Sequence, residues 1–237
     1  MSLALMIRKD GIVDPFGLNW LRTSRFPLIA GTRDGLDDVG GMDGAVDFGS
    51  MLGTDDIVLE LVSEDGLSPV EIVGLRNTVV GYLNQLRDYG TLSWEADPDK
   101  VLLIRLNGKP SRDVTILRAF QIGIPLLCQP LWYGDAERIL TTSGTAINAG
   151  TFETPMTVEI RGPCTNPTVT VNGKIMAYAG TLTASDILII DTGALTCTFN
   201  EINAFAFNGV FPTLLPGENI VNMGQVNTTV KWRDCWL

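Results

Sequence analysis

The sequence predicts a mainly β protein of two domains: an α+β first domain with one helix, then a β-sandwich. Three observations carry this. From Ala146 to Leu237, short runs rich in Val, Ile, Thr and Phe alternate with turn residues, as in TPMTVEIRG, PTVTVNGKIMAY, DILIIDTGALTCTF, NAFAFNGV and TTVKWRDCWL. Only one segment, opening at Ser68-Pro69-Val70-Glu71, carries a helix start followed by a helical apolar stripe. Composition changes near Gly134-Asp135: 19 acids and 12 bases precede that point, 8 acids and 5 bases follow it, and Thr and Asn become common. The boundary is therefore set between residues 1–135 and 136–237, with no long linker, internal repeat or low-complexity tract.

In the first domain, residues 3–30 read as a strand, a turn at Asp14-Pro15 and Phe16-Gly17, and an extended segment near FPLIAGT. An acidic, glycine-rich stretch follows. Between Asp34 and Asp65 lie ten acids and no Lys or Arg. It reads as a solvated surface excursion. An EF-hand calcium loop is excluded by spacing, since DGLDDVGGMDGAVDF does not place its acids and glycine as that loop requires. DDIVLELVS alternates, with Ile57, Leu59 and Leu61 on one side, the pattern of a half-buried strand.

In the helix, Ser68 is the N-cap, Pro69 the first helical residue and Glu71 the second half of a capping box. Ile72, Leu75, Val79, Leu83 and Leu86 form the apolar stripe, Gly74 and Gly81 weaken it, and Gly90 is expected to stop it in a left-handed conformation. The strands LSWEA and VLLIRLNGKP come next. In the run TILRAFQIGIPLLCQPLWYG, Pro125 and Pro130 predict an edge strand or an irregular end. Asn107-Gly108, Asn172-Gly173 and Asn208-Gly209 are hairpin signals, because both residue types accept positive φ.

Composition excludes several kinds of chemistry. The chain has no histidine, which removes Ser-His-Asp triads, Cys-His pairs and His-ligated zinc. Cys128, Cys164, Cys197 and Cys235 are scattered and read as free buried thiols, a Cys164–Cys197 disulfide being the alternative. No apolar run approaches the roughly 20 residues of a membrane span. The start MSLALMIRKDG has the reverse order of a signal peptide, so synthesis in the cytoplasm is expected. A net charge of −10 opposes binding to nucleic-acid phosphates.

Two motifs could carry catalysis. Asp191-Thr192-Gly193 after an apolar strand is the signature of aspartic proteases, one copy sufficing in a homodimer. It also fits an ordinary turn, and no buttressing element follows downstream. Glycoside hydrolysis needs two facing carboxylates, for which Glu153, Glu159, Asp186 and Glu218 are available. Trp232, Trp236 and Tyr178 are the few candidate sugar platforms. The even spacing of Trp232 and Trp236 puts both on one face of a strand, as a core or interface pair or as a platform. P-loop, GxGxxG and GxSxG motifs are absent. The expectation is no catalytic residue, no cofactor and no metal.

In segment order the chain resembles the distal tail protein (Dit) family of long-tailed bacteriophages. The resemblance rests on GMDGAVDFGSMLGTDDIVLELVS, SPVEIVGLRNTVVGYLNQLRDYGTLSW and IPLLCQPLWYG, then INAGTFETPMTVEIRG, the apolar strand ending in Asp191-Thr192, LLPGENIV and the closing TTVKWRDCWL. It implies a belt or ring-forming first domain and a galectin-like second one. It also implies a non-enzymatic siphovirus virion component: a hexameric hub joining the tail tube to the tail tip or baseplate, with DNA passing through its centre. The partners implied are five further copies, the major tail tube protein, the tail-tip protein and receptor-binding proteins. Family members often carry a basic residue where this chain has Asp55-Asp56, which points to different subunit contacts there. An acidic channel wall would repel DNA phosphates, and Asp37, Asp38, Asp43 and Asp47 are its candidate lining. A carbohydrate-binding adhesin and the homodimeric protease are the competing classes.

Overall fold

The computed structural model describes residues 5–9, 12–13, 19–23, 32–38, 45–62, 68–94, 97–113, 121–224 and 227–237. These residues are mostly strand, with one α-helix, as the sequence predicts. The chain divides into two compact units, residues 1–132 (with Leu237) and 133–236.

The first unit is organised by one sheet. Its strands run in the order Ile12–Val13, Leu5–Lys9, Gly90–Trp94, Asp97–Leu106, Gln121–Gly134, Asp55–Val62, Asn19–Thr23, and Ser111–Asp113 pairs alongside Gln121–Gly134. The helix Pro69–Gln85 begins as predicted: Ser68 Oγ accepts the Glu71 N–H, and the Glu71 carboxylate accepts the Ser68 N–H at 2.8 Å. Val79, Tyr82, Leu83 and Leu86 from the helical segment meet Ile7, Ile57, Leu59, Leu92, Leu102, Ile104 and Ile124 of the sheet in one core. Ile72 and Leu75 pack at its rim. Burying a Leu or Ile side chain is worth about 1.5–3 kcal/mol each, which offsets the two helix glycines. The helix stops earlier than expected. Leu86 caps it at φ −76°, its N–H bonded to the Leu83 carbonyl, and Gly90 opens the next strand.

The proline-containing run also departs from expectation. Gln121–Gly134 is an interior strand, with Pro125 opposite Val58. The Pro125 carbonyl accepts the Asn107 N–H at 3.0 Å, beyond the end of the neighbouring strand at Leu106. On that side the missing proline N–H forfeits no ladder bond. Asn107-Gly108 is a bend with Gly108 at φ +95°, but Ser111–Asp113 pairs with Gln121–Gly134, so it closes no two-residue hairpin. Within the acidic stretch, Thr32–Asp38 pairs antiparallel with Ala45–Leu52. FPLIAGT (except Thr32) and the Asp14–Gly17 turn lie outside the described residues.

The second unit is a β-sandwich. One sheet has the order Arg138–Leu140, Thr228–Trp232, Met156–Arg161, Ile187–Asp191, Thr196–Phe199, Ile202–Asn203. The other has Gly144–Asn148, Gly217–Met223, Thr168–Val171, Lys174–Tyr178, Phe207–Gly209. Burial alternates strictly along Met156–Arg161, Thr168–Val171, Ile187–Asp191 and Thr228–Trp232, the period that puts every second side chain between the sheets. Val158, Ile160, Leu188, Ile190 and Val230 of one sheet share a core with Val169, Val171, Met176 and Val221 of the other.

Asn172-Gly173 makes the predicted turn, both residues at positive φ (+48° and +80°), between Thr168–Val171 and Lys174–Tyr178. Asn208-Gly209 does not. It lies inside the edge strand Phe207–Gly209, where Gly209 sits at φ +123° and an added Cβ would come within 2.1 Å of the Ile175 carbonyl oxygen. Glycine is there for close backbone approach. The last strand breaks after Trp232, so Trp232 and Trp236 belong to separate strands and share no common strand face. All four cysteines are free, and no Cys164–Cys197 disulfide forms.

Candidate functional site

Asp191 ends the Ile187–Asp191 strand and pairs with Thr196 across a hairpin. Its Oδ1 accepts the N–H groups of Gly193 (2.8 Å) and Ala194 (2.9 Å), the bonding of an Asx turn. Thr192 is buried and ties this turn to the next strand: its Oγ1 accepts the Met156 N–H at 2.9 Å and donates to the Met156 carbonyl. The Asp-Thr-Gly signature is thus a strand-to-turn joint.

The other candidate carboxylates lie apart from one another in the bonding they make. Glu153 accepts from Thr213 Oγ1 at 2.6 Å. Asp186 accepts from Asn200 Nδ2 and from the Thr183 hydroxyl and N–H, which together hold its carboxyl below the usual range. Glu159 bridges Arg161 at 2.6 Å and Lys231 at 3.3 Å. Its partial burial pushes the carboxyl up, but the two cations outweigh that and leave it lowered. Glu218 is exposed in Gly217–Met223.

The aromatic platforms are turned to packing. Trp232 is 6% exposed and its Nε1 donates to the Ile147 carbonyl; Tyr178 stacks on Phe199 at 6.1 Å beside the sandwich core. Among the described residues no group of three His, Cys, Asp or Glu could hold a metal ion. Burial raises the Cys128 thiol to about 12, with the Asp55 and Asp56 charges adding to it, and raises Cys235 to about 12 and Cys197 to about 11. Such thiols carry almost no thiolate at neutral pH and are poor nucleophiles.

Two clefts remain. One, of about 240 Å³ in the second unit, is lined by Glu137, Asp191, Lys231, Trp232 and Arg233, with Tyr133 and residues 154–157. Lys231 is paired to Glu159, and Arg233 donates to the Gly134 carbonyl, so its cations are already engaged. The other, of about 340 Å³ in the first unit, is lined by Arg76, Val80, Leu83, Asn84 and Arg87 of the helical segment and by Leu106, Pro110 and Ile122.

Among the candidate channel residues, Asp37 pairs with Val46, Asp38 with Ala45, and Asp47 with Leu36 in the acidic hairpin; Asp43 lies outside the described residues.

Sequence reasoning missed a set of buried polar anchors, all inside the segments that carry the family resemblance. Asn148 of INAGTF is fully buried; it donates to the Phe152 and Leu214 carbonyls and accepts from the Gly150 and Cys235 N–H groups. Gly150 leaves room for the last strand, since a Cβ there would lie 1.8 Å from the Cys235 carbonyl oxygen. Asn219 of PGEN is fully buried and holds the Leu215–Gly217 turn from inside. Asp234 of the closing segment is 5% exposed; it accepts from Arg138 Nε at 2.6 Å and from the Ala149 N–H at 3.0 Å. The usable signal was polar: Asn148 at the end of a strand, Asn219 inside one, and Asp234 in the break between the last two.

Residues 149–236 match the family described as siphovirus-type tail component, C-terminal domain. In fold the whole chain is similar to the Dit (gp 19.1) protein of phage SPP1, whose crystal structure is described as a paradigm of hub adsorption apparatus in Gram-positive infecting phages. The TM-score is 0.72 at 15% identity, covering 99% of this chain and 100% of that one. It is also similar to a chain of the phage P2 baseplate in its activated conformation with Ca, at TM-score 0.56, 12% identity and 98% coverage of both chains. A chain of the same baseplate with Sr gives 0.55, 11% and 97% of both. No curated protein matches the chain. The resemblance to distal tail proteins read from the sequence therefore holds.

Proposed function

We propose that the chain is the subunit of a phage tail hub, a hexameric ring that joins the tail tube to the tail tip or baseplate. The observation that carries this is the end-to-end fold similarity to the SPP1 Dit protein, with the first unit as well as the family-matched second unit included. In this reading residues 1–135 form the ring, and the sandwich of 136–237 is a galectin-like peripheral domain that presents to tail-tip or receptor-binding proteins. The protein is made in the host cytoplasm and resides in the virion. DNA crosses the ring without being bound, and Asp37, Asp38, Asp43 and Asp47 line its path. Their charge repels phosphate, which keeps DNA from lingering during ejection. The chain acts by assembly and carries out no chemistry: Asp191 is committed to a turn, and the sandwich aromatics Trp232 and Tyr178 pack inward or on one another.

Light scattering after size exclusion tests the ring. It should give six times the 25.7 kDa subunit, either for the purified chain or on addition of its tube partner. A single subunit under both conditions would overturn the reading.

A further inference from the structure

Of the three Asn-Gly pairs singled out in the sequence, one makes a hairpin turn and one a bend, while Asn208-Gly209 lies in an edge strand. Such a pair carries chemistry as well as conformation. The backbone nitrogen that follows an asparagine can attack the side-chain amide carbon, and glycine, with no Cβ, leaves that nitrogen unshielded and free to rotate. All three asparagines are exposed. They differ in what holds the side chain. Asn107 Nδ2 donates to Asp56 Oδ1 at 2.7 Å. Asn172 is held at both ends: Nδ2 donates to Asn219 Oδ1 at 2.8 Å, and Oδ1 accepts the Ile220 N–H at 2.9 Å. The Asn208 side chain makes no hydrogen bond among the described residues.

The backbone beside Asn208 is open as well. Phe207–Gly209 is the last strand of its sheet and pairs on one side only, with Lys174–Tyr178. At its two ends the Ala179 N–H donates to the Ala206 carbonyl and the Val210 N–H to the Ile175 carbonyl. Antiparallel pairs alternate between bonded and non-bonded positions. Ala206, Asn208 and Val210 therefore take the bonded positions, and Gly209, opposite Met176, takes a non-bonded one. The Gly209 N–H thus points away from the sheet, into the open edge. A three-residue strand with a single neighbour frays at low cost, and fraying gives Asn208 the rotation that the attack requires.

We infer that Asn208 is a deamidation site, with the Gly209 backbone nitrogen as nucleophile and water as the second reactant. The nitrogen gives its proton to solvent base and bonds to Asn208 Cγ. The Cγ–Nδ2 bond breaks, and Nδ2 takes up a proton and leaves as ammonia. One water then opens the five-membered imide. Attack at Cγ leaves an aspartyl residue at position 208. Attack at the main-chain carbonyl leaves an isoaspartyl residue, whose backbone runs through the side chain and is longer by one carbon. Either product adds a negative charge to this edge of the sandwich. The longer one also shifts Gly209 from its close approach to the Ile175 carbonyl. The inference is independent of the hub reading.

Incubation of the purified full chain at mildly alkaline pH, followed by peptide mass spectrometry over time, tests it. The peptide carrying Asn208 should change from amide to acid first. Those carrying Asn107 and Asn172 should lag by roughly tenfold or more, the factor set by a hydrogen bond that must break before reaction. In denaturant all three should react at comparable rates, since glycine follows each. Asn208→Gln should abolish the change in its own peptide, because glutamine would have to close a six-membered ring, and at this exposed position it should keep the fold. Asp56→Ala, also at an exposed position, should speed Asn107 by about tenfold by removing its partner. The inference is overturned by a folded chain in which Asn107 or Asn172 reacts as fast as Asn208. It is equally overturned if Asn208 stays an amide in the folded chain while the denatured chain reacts. An unchanged Asn107 rate in Asp56→Ala would show that side-chain bonding does not rank the sites, and would overturn it too.

Discussion

Replacing Asn219 by alanine tests whether buried polar anchors hold the sandwich of the second unit together. Asn219 is fully buried and sits at the end of the PGEN segment. Its Nδ2 donates to the carbonyls of Leu215 (2.8 Å), Gly217 (3.0 Å) and Ala146 (3.4 Å). Its Oδ1 accepts the Leu215 N–H (2.8 Å) and Asn172 Nδ2 (2.8 Å). Alanine removes all of these. Leu215 is half exposed, so water replaces part of what is lost at the turn. Two groups stranded without a partner, at about 1–3 kcal/mol each, give a loss of roughly 2–6 kcal/mol. For a unit of about 100 residues this lowers the melting temperature by about 10 °C or more. Calorimetry of the full chain should show that shift in one transition, with the transition of the first unit unmoved. Asn219→Asp should be at least as damaging at neutral pH, because a carboxylate keeps the acceptor but faces the Leu215 and Gly217 carbonyls without a donor. A shift below about 3 °C for alanine, near 0.5 kcal/mol on the same scale, would refute the claim that this side chain organises the turn.

Three further outcomes are expected. Glu159 has a depressed folded-state pKa, so its contribution is present above the unfolded value near 4.3 and is lost as pH falls through the folded value; Glu159→Gln should lower stability at pH 7 and flatten the acid limb of a stability–pH curve, and an unchanged limb would show that its ion pairs contribute nothing. Iodoacetamide at pH 8 should leave Cys128, Cys197 and Cys235 unmodified in the folded protein and label all four cysteines after denaturation, as mass spectrometry of the peptides would reveal. Asparagine at Asp37, Asp38, Asp43 and Asp47 should change stability by only about 0.5 kcal/mol, yet slow DNA ejection at low salt with recovery at high salt; intact particles that eject at the normal rate would place these acids away from the DNA path.

The local rules in the sequence determined much of this molecule. Alternation with a period of two located the sandwich strands, because a strand between two sheets must turn every second side chain inward. The capping box located the first turn of the helix to the residue, because Ser68 and Glu71 satisfy one another's backbone groups without help from elsewhere. Asn172-Gly173 gave its turn for the same reason: positive φ is a property of two residues. Where an outcome depended on distant partners, the tertiary structure decided. Gln121–Gly134 is interior despite its prolines because the adjacent strand ends where Pro125 lacks its N–H. Asn208-Gly209 is a close approach to Ile175, not a turn, because another strand passes there. That Thr32–Asp38 pairs with Ala45–Leu52 was not legible from the charge pattern of the acidic stretch, since ladder hydrogen bonds depend on register and not on charge. Asn148, Asn219 and Asp234 became anchors only once the fold surrounded them with unpaired backbone groups. Their chemistry is visible in the sequence; the partners that give it meaning lie far along the chain.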